Sequence, residues 1–146
     1  MTADAYHVVA PNAVTVRRCL EEAIGHAGIA PSDIDAVNAH AASTKVGDRV
    51  EADVLREVFG GKVPPVSAGK SQLGHAMGAS SAIESILAME GMGRGMLLPT
   101  INHRPDPEIP LDCVAEGTRR LDQEFLLKNA FGFGGCNACL VFRRVA

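Results

Sequence analysis

The chain has 146 residues, of which 47% are hydrophobic, and this is enough apolar material for the core of one domain of ordinary size. A net charge of −3 and an isoelectric point near 5.9 provide no basic surface for phosphates, so we expect no nucleic acid partner. The N-terminal residues lack the pattern of a secretory signal, and no apolar run approaches the roughly 20 residues of a membrane span, so we expect a cytoplasmic protein without membrane contact.

Helix and strand patterns follow one another along the chain, separated by glycine and proline. In order, the sequence predicts a helix over 16–27, a strand over 34–40, a helix over 48–58, a strand over 62–68, a helix over 75–91, a loop over 98–110, and two strands over 129–135 and 138–145. Gly28 is placed to end the first helix, and Asp48 can cap the second. The alternation indicates an α/β fold with a sheet packed against helices.

Four short motifs lie where a predicted strand passes into a loop or helix. They are VNAHAAST at 37–44, GKSQLGH at 69–75, GASSAIES at 78–85 and NAFGFGG at 129–135. The carboxyl ends of strands in α/β proteins open onto a crevice where ligands bind, so these motifs predict a site.

Two histidines are candidates for this site. His40 ends an apolar strand, where it is either a core histidine bonded to a backbone carbonyl or a functional group. His75 lies at the predicted start of a helix, whose positive end disfavours a charged ring, so we expect a neutral imidazole that donates one hydrogen bond. For His75 too, a structural role stays open.

Lys70 and Glu84 are predicted to pair. A carboxylate on a helix that is apolar on most faces must be neutralised, paired or solvated, and Lys70 lies just before that helix. The pair either serves a site or braces strand against helix. A phosphate-binding loop around Lys70 is disfavoured, because Pro64 occupies the place of the first glycine.

The cysteines predict neither a disulfide scaffold nor a metal site. Cys19 and Cys113 are isolated, and Cys136 and Cys139 have metal-type spacing but no second pair. We therefore expect four free thiols and no metal. The FGFGG segment is not a dinucleotide fingerprint, since its glycines precede a strand instead of opening a helix.

Read together and in this order, the motifs resemble those of the β-ketoacyl-acyl carrier protein synthases, condensing enzymes with the thiolase-like fold. The resemblance covers nearly the whole chain and rests on Asn38, Ala39 and His40 before a serine- and threonine-rich turn, on Lys70, Ser71, Gly74 and His75, and on FGFGG at 131–135. It implies that residues 1–146 are one β-ketoacyl synthase C-terminal domain, the C-terminal half of that fold without its first strand.

The resemblance implies a decarboxylative Claisen condensation in fatty acid or polyketide synthesis, in which malonyl loses carbon dioxide and its carbanion attacks an acyl thioester. His40 and His75 would donate hydrogen bonds to the malonyl thioester oxygen. Lys70, paired with Glu84, would hold the surroundings of the second histidine. Phe133 would gate the acyl pocket and lend a backbone N–H to the oxyanion hole.

Substrate contacts and partners are implied in the same way. Thr44 would hydrogen-bond the pantetheine arm, and Phe131 and Gly134 would line the substrate site. No cofactor is implied, because the phosphopantetheine arrives on an acyl carrier protein. The other implied partner is an N-terminal half or a partner ketosynthase subunit, and the full-length enzyme would be a homodimer.

Two substitutions depart from the family pattern. Ala42 stands where the family has a threonine, so one pantetheine hydrogen bond of about 0.5–1.5 kcal/mol is missing. Cys136 stands where a threonine or a similar residue is common after FGFGG, and nothing in the sequence explains it.

The larger departure is the family's nucleophilic cysteine, which lies in the N-terminal repeat and has no counterpart among the four cysteines. We expect a central strand to be missing, and therefore a chain that is marginally stable and inactive without a partner. Two alternatives remain. One is a non-catalytic partner resembling a chain-length factor, and the other is a different thiolase-like activity, which would fit the paired histidines less well.

Overall fold

The computed structural model describes residues 1–145 as helices on both sides of a mixed sheet. The elements are α1 (Ala13–Ala27), β1 (Ala36–Asn38), α2 (Lys45–Val58), β2 (Val66–Ser67), α3 (Lys70–Leu73), α4 (Ser80–Gly93), β3 (Met96–Leu97), β4 (Arg119–Arg120), β5 (Phe125–Gly132) and β6 (Cys136–Arg143). Short 3₁₀ turns occur at Pro31–Asp33, Met77–Ala79 and Phe133–Gly135. None of the helices in this range is long and apolar enough to cross a membrane.

The main sheet has four strands in the order β2, β1, β5, β6. Strand β1 runs parallel to both β2 and β5, and β6 runs antiparallel to β5. We expected a missing central strand with two unpaired facing edges, and this prediction is wrong, because the four described strands are hydrogen-bonded neighbours. At the outer edge of β6, Thr2 forms one antiparallel bridge with Asn137.

Strand β5 separates two apolar clusters, because successive side chains of a strand point to opposite faces. Leu127 packs with α1 and α2 residues such as Leu20 and Leu55, and Leu126 packs on the other face with Met92 and Leu97. The polar residues that follow continue this alternation, since Lys128 contacts α4 and Asn129 contacts α2. Buried charges on the two faces therefore meet different helices.

The first helix matches its prediction at its C-terminal end. Gly28 follows α1 with φ of 70°, the left-handed conformation that glycine adopts without strain. The cap of α2 was predicted at the wrong residue: Thr44 is the N-cap, and its Oγ1 accepts from the Gly47 N–H at 3.1 Å. Asp48 lies one turn later and accepts from the Thr44 N–H.

The segment after β2 differs most from the prediction. The strand predicted over 62–68 is reduced to Val66–Ser67, and the helix predicted from His75 begins at Ser80. Gly74, with φ of 72°, ends the short helix α3 and separates it from the next 3₁₀ turn. The small sheet of β3 and β4 was not predicted.

Helix α4 was expected to be buried on most faces, and in this chain one apolar face is open. Ile83, Ile86 and Met89 are 39%, 58% and 42% exposed, whereas Glu84 on the opposite face is 1% exposed. One of the two charged residues of this helix, Glu84, therefore lies inside, whereas several of its apolar residues lie outside.

A matched pair of substitutions tests this inversion. Ile24 is 3% exposed, so Ile24→Ala should lower the free energy of unfolding by about 2–5 kcal/mol. Ile86→Ala should change it by no more than about 0.5 kcal/mol, because its side chain already contacts solvent. Urea denaturation of both variants measures the difference, and equal losses would show that the α4 face is covered in the isolated chain.

Candidate functional site

The predicted motifs meet around one open cavity of about 600 Å³. Seven of the eight predicted site residues line it, namely His40, Thr44, Lys70, His75, Glu84, Phe131 and Phe133. Gly134 is the exception. Its backbone instead ties the FGFGG turn to the N-terminal segment, because its N–H donates to the Val8 carbonyl and its own carbonyl accepts from the Ala5 N–H.

The His40 ring is held by its Nδ1 atom. The backbone N–H of Phe131 donates to Nδ1 at 3.2 Å, so this nitrogen presents a lone pair and the ring proton is on Nε2. Burial lowers the pKa of His40 to about 3, and the positive charges of Lys70 and Lys128 act in the same direction. At neutral pH His40 is thus an uncharged ring with one N–H donor.

The His75 ring is held in a similar way. It does not lie at the start of α4 as predicted, but in the loop between α3 and the 3₁₀ turn. Its Nδ1 accepts from the Met77 N–H at 3.0 Å and lies 3.4 Å from Ser80 Oγ. A nitrogen that accepts from a backbone amide carries no proton, so the neutral ring again has its N–H on Nε2.

The two imidazoles lie side by side at the cavity. Their ring centroids are 5.9 Å apart and the planes meet at 81°, and the Phe131 ring is 5.4 Å from that of His40. The expectation that His40 and His75 lie close together is confirmed. Two fixed donors on neighbouring elements can serve one acceptor, which is the chemistry of an oxyanion hole.

The predicted pair of Lys70 and Glu84 is confirmed. Lys70 Nζ donates to Glu84 Oε2 at 3.1 Å, and it lies 2.8 Å from Oε1, an ion-pair contact outside hydrogen-bond geometry. The same ammonium donates to the His40 carbonyl at 2.6 Å and is 3.5 Å from His40 Nδ1. Lys70 thus connects helix α4 to the first histidine.

Two further buried charges were missed by sequence reasoning. Lys128 on β5 is 1% exposed and its Nζ lies 2.5 Å from Glu84 Oε2. Glu51 on α2 accepts from the backbone N–H groups of His40 and Ala41, each at 2.8 Å. The argument that singled out Glu84, a charge within an apolar pattern, applies also to Lys128 and could have found it, whereas Glu51 lies among other charged residues of α2 and carried no such signal.

The N-terminal segment forms a wall of the cavity that was also missed. His7, Val8 and Val9 line the cavity. The Asp4 carboxylate holds this segment, because it accepts from Thr15 Oγ1 at 2.5 Å and from the Tyr6 N–H at 2.8 Å. The position of this segment at the cavity could not be derived from the sequence, because its contacts are with the distant turn after β5.

The remaining predicted groups lie at the cavity surface. Phe133 is 65% exposed on the turn after β5, and Thr44 is exposed at the start of α2. Ala42 and Cys136, the two departures from the family pattern, also line the cavity. Within residues 1–145 no cluster of three or more histidine, cysteine or carboxylate side chains could hold a metal ion.

Comparison with known proteins agrees with this arrangement. The family described as "Beta-ketoacyl synthase, C-terminal domain" matches residues 1–104. This chain belongs to the β-ketoacyl synthase family. As the C-terminal fragment of such a synthase, it is 44% identical over 147 aligned residues to 3-oxoacyl-[acyl-carrier-protein] synthase 2 of Mycobacterium bovis, and 40% identical over 148 to the Staphylococcus aureus protein of that name.

Solved structures show the same ketosynthase fold. A β-ketoacyl synthase from Burkholderia phymatum has a TM-score of 0.94 at 37% identity, and the ishigamide ketosynthase/chain length factor has 0.95 at 36%. Each alignment covers 99% of this chain and 36% of the other chain. The chain likewise spans about a third of its curated relatives, 35% of the Mycobacterium bovis protein and 36% of the Staphylococcus aureus protein.

The tautomer and the protonation state of His40 can be measured directly. We expect ¹⁵N NMR of the histidine-labelled chain to show a proton on Nε2 and none on Nδ1 at neutral pH, with protonation only near the pKa of about 3. Lys70→Met should raise this pKa, because a neighbouring positive charge is removed. Arg18→Met, on an exposed part of α1, should leave it unchanged, and a proton on Nδ1 would contradict the assignment.

The free energy of unfolding should depend on pH through protonation of the same ring. In the unfolded chain His40 takes up a proton near the ordinary histidine pKa of about 6.5, whereas in the folded chain its pKa is much lower. The contribution of His40 to stability is therefore present above about pH 6.5 and is lost as the pH falls towards 3. Urea unfolding between about pH 6.5 and 5 should show a weaker pH dependence in His40→Gln, and an identical dependence would contradict the depressed pKa.

Proposed function

We propose that this chain supplies the decarboxylating half of the active site of a 3-oxoacyl-[acyl carrier protein] synthase. The reaction would be a decarboxylative Claisen condensation in fatty acid or polyketide synthesis. The observation that carries the proposal is the pair of Nε2–H donors, whose rings lie 5.9 Å apart at the wall of the cavity.

In this proposal the malonyl thioester oxygen lies between His40 and His75. As the carboxylate leaves as carbon dioxide, its electron pair moves into the thioester and the oxygen becomes negative. The two N–H donors stabilise that charge, and because both rings are already oriented, little reorganisation is needed. The resulting carbanion attacks the acyl thioester, and the thiolate that held the acyl group leaves.

Lys70 and Glu84 would act on the histidines and not on the substrate. The Lys70 ammonium donates to the His40 carbonyl, so it fixes the backbone that carries the ring. Its charge also disfavours a charged His40, and this keeps the ring in the neutral donor form. Phe133, exposed on a turn between glycines, would gate the acyl pocket and lend its backbone N–H to the acyl thioester.

The substrate would reach the histidines along the wall that carries Thr44. Its Oγ1 accepts from the Gly47 N–H, so the hydroxyl proton is free to donate to a pantetheine amide. Phe131 would shape the same passage, while Ala42 offers no hydrogen bond there and Gly134, which does not line the cavity, would act only by anchoring the turn that carries Phe133. The carrier would be an acyl carrier protein, and one structural relative is a type II polyketide ketosynthase in complex with its acyl-carrier protein.

The nucleophilic cysteine would come from the remaining part of the synthase. The open face of α4, which carries Ile83, Ile86 and Met89, is where that part would pack, since exposed apolar patches mark interaction surfaces. Without it the chain should be inactive. A homodimer of the full-length enzyme and a cytoplasmic location stay predictions.

A non-catalytic partner resembling a chain-length factor is the alternative. One structural relative is a ketosynthase/chain length factor, and the fold accommodates either role. A scaffolding subunit has no need of two imidazoles whose Nδ1 atoms are both held by backbone amides. The arrangement of His40 and His75 therefore favours the enzyme.

A chimera tests the proposal. This chain would replace the C-terminal third of the Mycobacterium bovis synthase, and decarboxylation of malonyl-acyl carrier protein would be measured. We expect activity in the chimera, and we expect His40→Ala and His75→Ala each to lower kcat about 10²–10³-fold, the cost of one oxyanion donor.

The control for these variants is His26→Ala, which removes an exposed histidine of α1. It should leave decarboxylation unchanged. If the chimera is active and keeps its decarboxylation rate after loss of either His40 or His75, the catalytic hypothesis is rejected and the hypothesis of a non-catalytic scaffolding subunit is favoured.

The packing of α4 can be tested separately. Ile86→Asp places a charge on the open face, so the isolated chain should fold as before, because the side chain is already in solvent. Assembly with a separately expressed N-terminal part should fail, since the charge would be buried unpaired. Val14→Asp, at an exposed site of α1, should assemble normally, and unimpaired assembly of Ile86→Asp would contradict the proposed interface.

A further inference from the structure

Lys128 is the largest fully buried side chain in the described part of the chain, and neither the motifs nor the proposed reaction assigns it a role. It follows two leucines on β5 and points towards α4. Its Nζ donates to Glu84 Oε2 at 2.5 Å and to the Asn129 carbonyl at 2.8 Å. A buried lysine is costly unless its charge is matched, so this position needs an explanation beyond packing.

Four buried charges lie behind the histidine pair. Lys70, Lys128 and Glu84 form one group around a single carboxylate, and Glu51 binds the backbone of His40 from the opposite face of the sheet. These charges sum to zero. Without Lys128 the three remaining charges, those of Lys70, Glu84 and Glu51, would sum to one negative charge behind the oxygen that becomes negative during decarboxylation.

A series of hydrogen bonds also connects Lys128 to the backbone of His40. Lys128 and Lys70 share Glu84 Oε2, and Lys70 in turn holds the His40 carbonyl. On the same strand, Asn129 Nδ2 donates to Glu51 Oε1, which accepts from the His40 N–H. His40 is therefore connected to Lys128 on one side through two ion pairs.

We propose that Lys128 is a positioning residue of His40. It holds the Glu84 carboxylate together with Lys70, and its charge offsets that of Glu51, so that negative charge on a thioester oxygen at His40 and His75 is stabilised. The inference rests on the proposed function for the thioester, but the coupling between Lys128 and His40 is a property of this chain by itself.

The first measurement uses the chain alone and compares two methionine variants. The charged groups that face His40 are Lys70 from α3, Lys128 from β5 and Glu51 from α2 through the backbone, and His75 from the loop is the one further titratable group that acts on it. Lys128→Met removes one positive charge, so the His40 imidazole should take up its proton at a higher pH in ¹⁵N NMR titration. Arg143→Met removes the same charge from an exposed site on β6 and should leave this titration unchanged.

The second measurement uses the chimera with the Mycobacterium bovis synthase. Lys128→Met should lower kcat for malonyl decarboxylation about 10-fold with little change in KM, a smaller loss than the 10²–10³-fold expected for a direct donor. Lys128→Met should still fold, because Glu84 keeps Lys70 as its partner. If it does not fold, Lys128→Gln, which keeps a donor for Asn129 but no charge, takes its place in both measurements.

Chemical rescue separates charge from packing. Lys128→Ala lacks the atoms of n-propylammonium, so this cation should restore both the His40 titration and kcat, whereas n-propanol should not. Rescue by n-propanol, or an unchanged His40 titration and kcat in Lys128→Met, would overturn the inference and leave Lys128 a packing residue. A chimera that is inactive with Lys128 intact would reject the proposed function, and the NMR titration of the chain would still decide the coupling.

Discussion

The Glu84 carboxylate lies out of solvent between two ammonium groups, and the arrangement of the site depends on this contact. An ionised carboxylate inside a protein is strongly unfavourable unless opposite charges and hydrogen bonds replace its water. Lys70 comes from α3 and Lys128 from β5, so one carboxylate on α4 joins three elements. Lys70 then extends the connection to the backbone of His40.

The two histidines are oriented by the same physical means on different elements. In each, a backbone N–H donates to Nδ1, from Phe131 for His40 and from Met77 for His75. A backbone donor cannot rotate away, so the tautomer is held by the fold and each ring is left with Nε2–H. Charge that develops between two such donors meets dipoles that are already in place.

One wall of the cavity comes from a segment far from the motifs in sequence. The residues around Asp4 are bound to the turn after β5, and Val8 and Val9 of this segment line the same cavity as the histidines. Helix α4 also contributes to this cavity, and its open face leaves isoleucine and methionine in solvent. The chain spans about a third of the length of the relatives it matches.

The sequence by itself determined the elements whose cause is local. Helix α1 follows from apolar spacing and Gly28, and the pairing of Lys70 with Glu84 follows because a carboxylate in an apolar helix needs a nearby cation. The closeness of His40 and His75 was predicted through the resemblance of the motifs, and not from the spacing of the residues. What these predictions share is that each partner lies within a short segment or a recognised motif.

Only the tertiary structure decided the other features, because they depend on contacts between segments that are distant in sequence. Whether Lys128 meets Glu84 depends on which face of β5 packs on α4, and both faces of that strand are buried. The choice of Thr44 over Asp48 as a cap depends on where the chain turns after β1. The exposure of Ile86 depends on what covers α4, and no local pattern specifies that.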